Sequence, residues 1–130
     1  MREHEDSTLP EDWRWIARKD WERMKLHLSA EDAEAAGYFL QQSLEKHLKA
    51  FLLQNGWRLR KIHALHDLLS DAIVYNPKLA DFRGLCERVS GYYFAQRYPP
   101  LILPGLTCDD IREDIKEARK LIKALSGESH

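Results

Sequence analysis

Apolar residues recur at three- and four-residue intervals through most of this chain, and no stretch shows the two-residue alternation of a strand. The pattern therefore predicts helices throughout. A first helix is expected to start around Thr8 to Asp12, where Thr8 and Glu11 have capping-box spacing and Pro10 suits a first turn. Trp13, Ala17, Trp21, Met24 and Leu28 form its inward stripe, which leaves Trp15, Lys19, Glu22 and Leu26 on the opposite side. Trp15 and Leu26 are out of place on a charged face. They suggest a dimer or partner surface, or a helix covered on two sides by its own chain.

Ser29 and Asp32 repeat the capping-box spacing and predict a second helix from about Ala30 to Gln54, stopped in the left-handed region by Asn55-Gly56. Leu40, Leu44, Leu48 and Leu52, with Ala36 before them, make its apolar stripe. A basic loop over 56–63 leads to a third helix marked by Leu65, Leu68, Leu69, Ala72 and Ile73 and ended by Asn76-Pro77. The fourth segment runs from about Leu79 to Arg97 on Phe82, Leu85, Val89, Tyr92 or Tyr93 and Gln96, with an interruption near Gly84 and a stop at Pro99-Pro100. A last capping box at Thr107 and Asp110 opens a fifth helix whose seam is Ile111, Ile115, Ala118, Ile122 and Leu125. The expected architecture is all-α: an up-and-down bundle of four long helices plus a short fifth element. Residues 11–126 form the single domain, with flexible segments at 1–10 and 127–130.

At 130 residues, 44% hydrophobic and 32% charged, such a domain can bury a core without disulfides or metal. Cys86 and Cys108 have no partners at metal-ligand spacing and form no disulfide framework, so both are expected to be reduced. The opening MREHEDSTLPEDW lacks an apolar secretory core, and no run approaches the roughly 18 apolar residues of a bilayer span. A cytoplasmic protein without membrane association is the expectation.

The formal charge of -1 argues against a wholesale electrostatic binder of nucleic acid, but the charge is uneven. Lys46, Lys49, Arg58, Arg60 and Lys61 face only Glu45, while Glu3, Glu5, Asp6, Glu11 and Asp12 make the start acidic. The basic stretch either holds phosphate or complements the negative end of the second helix. If neighbouring helices are antiparallel, one pole gathers Lys49, the Arg58–Lys61 loop, His63, His66, Asp67, Arg97, Tyr98 and the amides after Thr107. Such a set suits phosphate: Arg97 offers a planar fork, His66 a proton near neutral pH, and helix-start amides favour anions. Structural roles compete with each. Asp67 suits the positive end of the third helix, Arg97 can satisfy terminal carbonyls, and Tyr92, Tyr93, Phe94 and Tyr98 serve a core as readily as they stack bases. His63 and His66 lack a third ligand, so neither metal nor cofactor is expected.

Four motifs occur in a fixed order: Trp13-x-x-x-Ala17-x-x-Asp20-Trp21, then GYFLQQSLEKHLKAFLL over 37–53, HDL at His66 to Leu68, and RYP at Arg97 to Pro99. Together they resemble a HEPN domain, from about Trp13 to Leu125, and the Gln-Gln-x-x-Glu-Lys-x-x-Lys-Ala string is the most specific of them. The resemblance implies a four- or five-helix bundle that commonly dimerises. Small members of this kind are paired with a minimal nucleotidyltransferase of the MNT type in toxin–antitoxin operons, and other members are metal-independent ribonucleases. Those ribonucleases carry an arginine followed, after four to six residues, by a histidine. Here Arg97 stands at the arginine position, but Ile102, Leu103 and Pro104 fill the histidine positions and no histidine follows until His130. Arg58 with His63, and Arg60 with His66, have the spacing but lie in the loop entering the third helix.

The expected function is an interaction module that binds a nucleotide or RNA through Lys46, Lys49, His66, Asp67, Arg97 and Tyr98. It would dimerise or meet its partner through Trp15, Leu26, Tyr92 and Tyr93. The alternatives are a metal-independent endoribonuclease toxin using Arg97 with His66 or His63, and a purely structural helical dimer.

Overall fold

The computed structural model describes residues 7–92 and 105–127. These residues form α1 (Pro10–Ser29), α2 (Ala33–Gln54), α3 (Leu65–Tyr75), a 3-10 helix (Pro77–Phe82), α4 (Arg83–Ser90) and α5 (Cys108–Leu125), with no strand among them. The fold is an all-α helical bundle. Its core is the leucine stripe of α2, packed against Met24 of α1, Leu65, Leu68 and Leu69 of α3, Leu85 and Val89 of α4, and Ile111, Ile115 and Leu121 of α5.

Local chemistry sets most helix ends, though not always through the expected residues. The Thr8–Glu11 box does not form: the N-cap is Leu9, which makes no side-chain bond, and Pro10 occupies the first turn. Ser7, expected in the flexible segment, is buried. Its hydroxyl accepts from Leu9 N–H at 3.0 Å and donates to Asp12 at 2.7 Å, and its carbonyl accepts the Trp13 indole N–H at 2.9 Å. A buried indole needs an acceptor, and that need draws the preceding chain inward.

Between α1 and α2, Ser29 stays inside α1 with its hydroxyl on the Lys25 carbonyl, and Asp32 alone caps α2 by accepting from Ala35 N–H. Asp32 N–H reaches His27 O at 2.9 Å and Glu31 N–H reaches Leu28 O at 3.0 Å, the paired bonds of a Schellman ending. Glu31 therefore occupies the left-handed position, with φ of 60°, where glycine is the usual residue. The end of α2 uses the same device with its usual residue. Gly56 has φ of 90°, and Trp57 N–H and Gly56 N–H bond to Leu52 O and Leu53 O. At α5 the Thr107–Asp110 box is complete in both directions.

The fourth segment carries the interruption expected near Gly84. Asn76 caps a 3-10 helix by accepting from Lys78 N–H, and α4 begins at Arg83, one residue before Gly84.

α1 and α2 form an antiparallel hairpin across a three-residue turn, close enough for the Ser43 hydroxyl to reach the Ala17 carbonyl at 2.8 Å. Arg112 pairs with Glu31 at 3.1 Å, which places the start of α5 beside that turn and makes α5 run with α2. α4 ends at the same level: a Cβ on Gly37 would lie 3.1 Å from Tyr92 Cβ and 3.0 Å from Leu106 Cδ2. The far end of α2 lies elsewhere, since Gln54 accepts from Arg14 of early α1. The loop after Gly56 turns back along α2 so that His63 meets Glu45, eight residues and about 12 Å from Gly37 along the axis. The single pole expected from alternating helices is therefore divided, because α3 does not start where α2 ends.

Replacing Glu31 with glycine should relieve a left-handed residue while losing only an exposed ion pair. The expected gain is about 1 kcal/mol, or about 3 °C in the thermal midpoint. Calorimetric melting of the E31G variant checks this, and an unchanged or lower midpoint would contradict it.

Candidate phosphate-binding site

The polar string of α2 forms a seam inside the bundle. Glu45 and Lys49 are each 2% exposed and lie one helical turn apart, with Nζ 3.1 Å from Oε2. Nδ1 of His63 approaches the same carboxylate oxygen at 2.8 Å, and the Lys49 ammonium stands 5.0 Å from the Trp13 ring. Burial demands such partners, because an isolated charge in this position would carry a large desolvation cost. Lys49 is thus enclosed, contrary to its expected role as a phosphate ligand. Lys46 donates to Gln42 at 2.7 Å and lies 3.5 Å from Asp20, whose other oxygen pairs with Arg23. Gln42 in turn donates to the buried Gln41. Most of what looked like ligand chemistry along α2 joins α2 to α1 and to the His63 loop.

His63 and His66 are both largely exposed. His66 pairs with Asp67 at 3.3 Å in the first turn of α3, whose N-cap Ala64 makes no side-chain bond. Tyr92, expected at an interface, is half-buried against its own core. Its hydroxyl donates to Asp114, which also accepts from Arg88 Nε at 3.0 Å. Burial and the Asp114 carboxylate push the Tyr92 phenol upward, so it stays a neutral donor. Trp15 and Leu26 are exposed, as the helical pattern requires. Tyr93, Arg97 and Tyr98 lie outside the described residues.

A group of cations that no local motif signalled gathers elsewhere. Between early α1, the middle of α2 and the end of α5 lies a cleft of about 530 Å³. Arg14 and Arg18 line one side, Arg119 and Lys123 the other, with His47 between them; Glu22 is the one carboxylate in the lining. Arg14 pairs with Glu11 at 2.6 Å. Among the described residues, Arg18, Arg119 and Lys123 have no carboxylate within ion-pair distance. Trp21, Ile122 and Leu125 supply apolar wall, and Arg119 lies 5.9 Å from the Trp21 ring. Burial, then the charges of Arg18 and Arg14, lower the His47 pKa to about 4, so this imidazole is neutral at pH 7. The arrangement can hold an anion.

Other chemistries find less support. Burial pushes the Cys86 thiol up to about 12, which makes it a poor nucleophile. Among the described residues no group of three or more histidine, cysteine and carboxylate side chains is arranged to hold a metal, and no helix is long and apolar enough to cross a membrane.

The family model for the HEPN domain matches residues 10–128, from the first residue of α1 to beyond the last of α5. The chain belongs to the HEPN family. Its fold is also similar to the crystal structure of TT1696 from Thermus thermophilus, with a TM-score of 0.77 and 25% sequence identity over 92% of this chain and 98% of that one. Comparison with curated proteins gives no match. In this HEPN domain the diagnostic polar string lies at the α1–α2 seam, while the cations without carboxylate partners line the cleft beside α5.

The buried pair yields a sharp expectation. Lys49→Met leaves Glu45 enclosed with only His63 and should cost about 3 kcal/mol, whereas the double variant Glu45→Leu/Lys49→Met should recover more than half of that loss. Urea unfolding of the three proteins measures the coupling, and a double variant no more stable than the single would contradict it.

Proposed function

We propose that this HEPN domain is a dimeric interaction module that binds a nucleotide or RNA phosphate, does not cleave RNA alone, and works with an MNT-type nucleotidyltransferase as a toxin–antitoxin pair. The observation that carries the non-cleaving part is the absence of a proton-transfer group at the required distance after Arg97, where Ile102, Leu103 and Pro104 stand. Metal-free RNA cleavage must move a proton at the 2′-hydroxyl or the leaving oxygen, and arginine stays protonated. Arg97 can bind phosphate without cutting it. The partner assignment rests on the likeness of Gln41-Gln42-x-x-Glu45-Lys46-x-x-Lys49-Ala50 to small HEPN proteins of that kind.

The dimer part draws on α1. Trp15, Lys19, Glu22 and Leu26 are spaced four, three and four residues apart, a spacing that reads the same in both directions. Two antiparallel copies of α1 related by a two-fold axis place Trp15 against Leu26 and Lys19 against Glu22, so the stripe is complementary to itself. Trp15 and Leu26 are 48% and 69% exposed, so a second helix can cover both.

A second reading, the ribonuclease toxin, draws on one arrangement. His63 places Nδ1 on the buried Glu45 carboxylate while its side chain is 65% exposed, as a carboxylate-oriented general base would be.

Incubation of the purified protein with cellular RNA in EDTA separates the readings. The module should leave RNA intact, and cleavage lost in both Arg97→Ala and His63→Ala variants would establish the toxin instead. For the dimer, Trp15→Glu and Leu26→Glu should each shift the protein from dimer to monomer in sedimentation experiments at micromolar concentration. A dimer that survives both substitutions excludes the α1 surface.

A further inference from the structure

We infer that the cleft between α1, α2 and α5 is an acid-sensitive clasp, in which His47 must stay uncharged for the second half of α5 to remain docked on the α1–α2 hairpin. The attachment of α5 is uneven along its length. Its first half is tied at several points: Arg112 pairs with Glu31 at 3.1 Å, and Asp114 and Glu117 both pair with Arg88 of α4, at 3.0 and 2.9 Å. Beyond Glu117, among the described residues, no side chain of α5 forms a hydrogen bond or ion pair with another helix. Ala118, Leu121 and Leu125 hold this half through the core, and Arg119 rests 5.9 Å from the Trp21 ring of α1. Apolar burial and one cation–π contact carry the join.

The cleft opens along this weaker half, since its α5 lining is Arg119, Ile122, Lys123 and Leu125. From α2 comes His47, whose ring makes no hydrogen bond among the described residues. The charged groups around it are Arg14, Arg18 and Glu22 from α1 and Arg119 and Lys123 from α5; Glu11 pairs with Arg14 at 2.6 Å and offsets part of its charge. Cations remain in excess. A proton on His47 adds one more positive charge where burial already penalises the charged ring, so it favours any arrangement that brings water to the imidazolium. Undocking the second half of α5 is the smallest such change. It carries Arg119 and Lys123 away, while the α1–α2 seam keeps the Ser43–Ala17 bond and the Asp20–Lys46 and Glu45–Lys49 pairs. With His47 at about 4 when docked and at its ordinary 6.5 in water, docking is at full strength above pH 6.5 and weakens as the pH falls toward 4.

Amide hydrogen exchange of the full chain at pH 7 and pH 5, corrected for intrinsic rates and in buffer without phosphate or sulfate, tests the clasp. Protection over residues 118–125 should fall by roughly twentyfold, the rise in the open fraction that a His47 value moving between about 4 and 6.5 produces, while α2 and residues 112–117 keep theirs. His47→Gln should abolish the fall, because glutamine does not titrate. Arg18→Gln should leave a smaller one, since it removes a charge that opposes protonation of the ring. By proton NMR, His47 should titrate well below the usual histidine range, and Arg18→Gln should move it upward. The inference is overturned if protection over 118–125 is the same at both pH values, if His47 titrates at its ordinary value, or if a His47→Gln variant with native circular dichroism loses as much protection as the parent. Loss of protection in α2 in step with α5 overturns it as well, because that marks acid unfolding of the whole bundle.

Discussion

The buried ion pair of Glu45 and Lys49 is the constraint on which the rest of this bundle depends. Two charges held at 2% exposure are tolerable only where attraction and hydrogen bonding offset lost hydration, and each neighbour contributes to that balance. Trp13 lays its ring beside the ammonium and so fixes the rotation of α1. The loop after α2 returns along its own helix until His63 reaches the carboxylate, which decides where α3 begins. An apolar pair of similar volume would fill the space without specifying either arrangement. The polar atoms make the packing directional.

Much of this was legible from local pattern. The stripe Leu40, Leu44, Leu48 and Leu52 is fully buried, and the signals Asn55-Gly56 and Thr107–Asp110 act within a few residues of themselves, so they needed no knowledge of the fold. The Ser29–Asp32 spacing misleads because Asp32 alone caps α2 and Glu31 accepts a left-handed conformation normally left to glycine. The route of the chain after Gly56 was hidden for a deeper reason. It depends on a contact between residues 45 and 63, and nothing in the periodicity of either segment reports it. The cleft is harder still, since its cations come from residues 14, 18, 119 and 123 and meet only once three helices have packed.

This contrast changes how the family signature is to be understood. Gln41, Gln42, Glu45, Lys46 and Lys49 are the residues by which the chain is most readily recognised, and they are occupied with one another, with Asp20 and with His63. Their spacing is the geometry of joining a hairpin to the loop that follows it, so membership in the HEPN family speaks most directly to architecture. The cations without carboxylate partners that line the cleft, Arg18, Arg119 and Lys123, lie outside that string. The same chain can therefore retain its family fold while its binding surfaces diverge.

The tight turn between α1 and α2 has a kinetic meaning too. Helices separated by only three residues meet with little loss of chain entropy, and their seam contains both the Ser43–Ala17 bond and the Asp20–Lys46 pair. The last helix must return from more than fifty positions beyond α2 to lie along it. Physics thus favours an order of assembly in which the hairpin closes early and the final helix docks late, so that the recess it completes comes into existence only as folding ends.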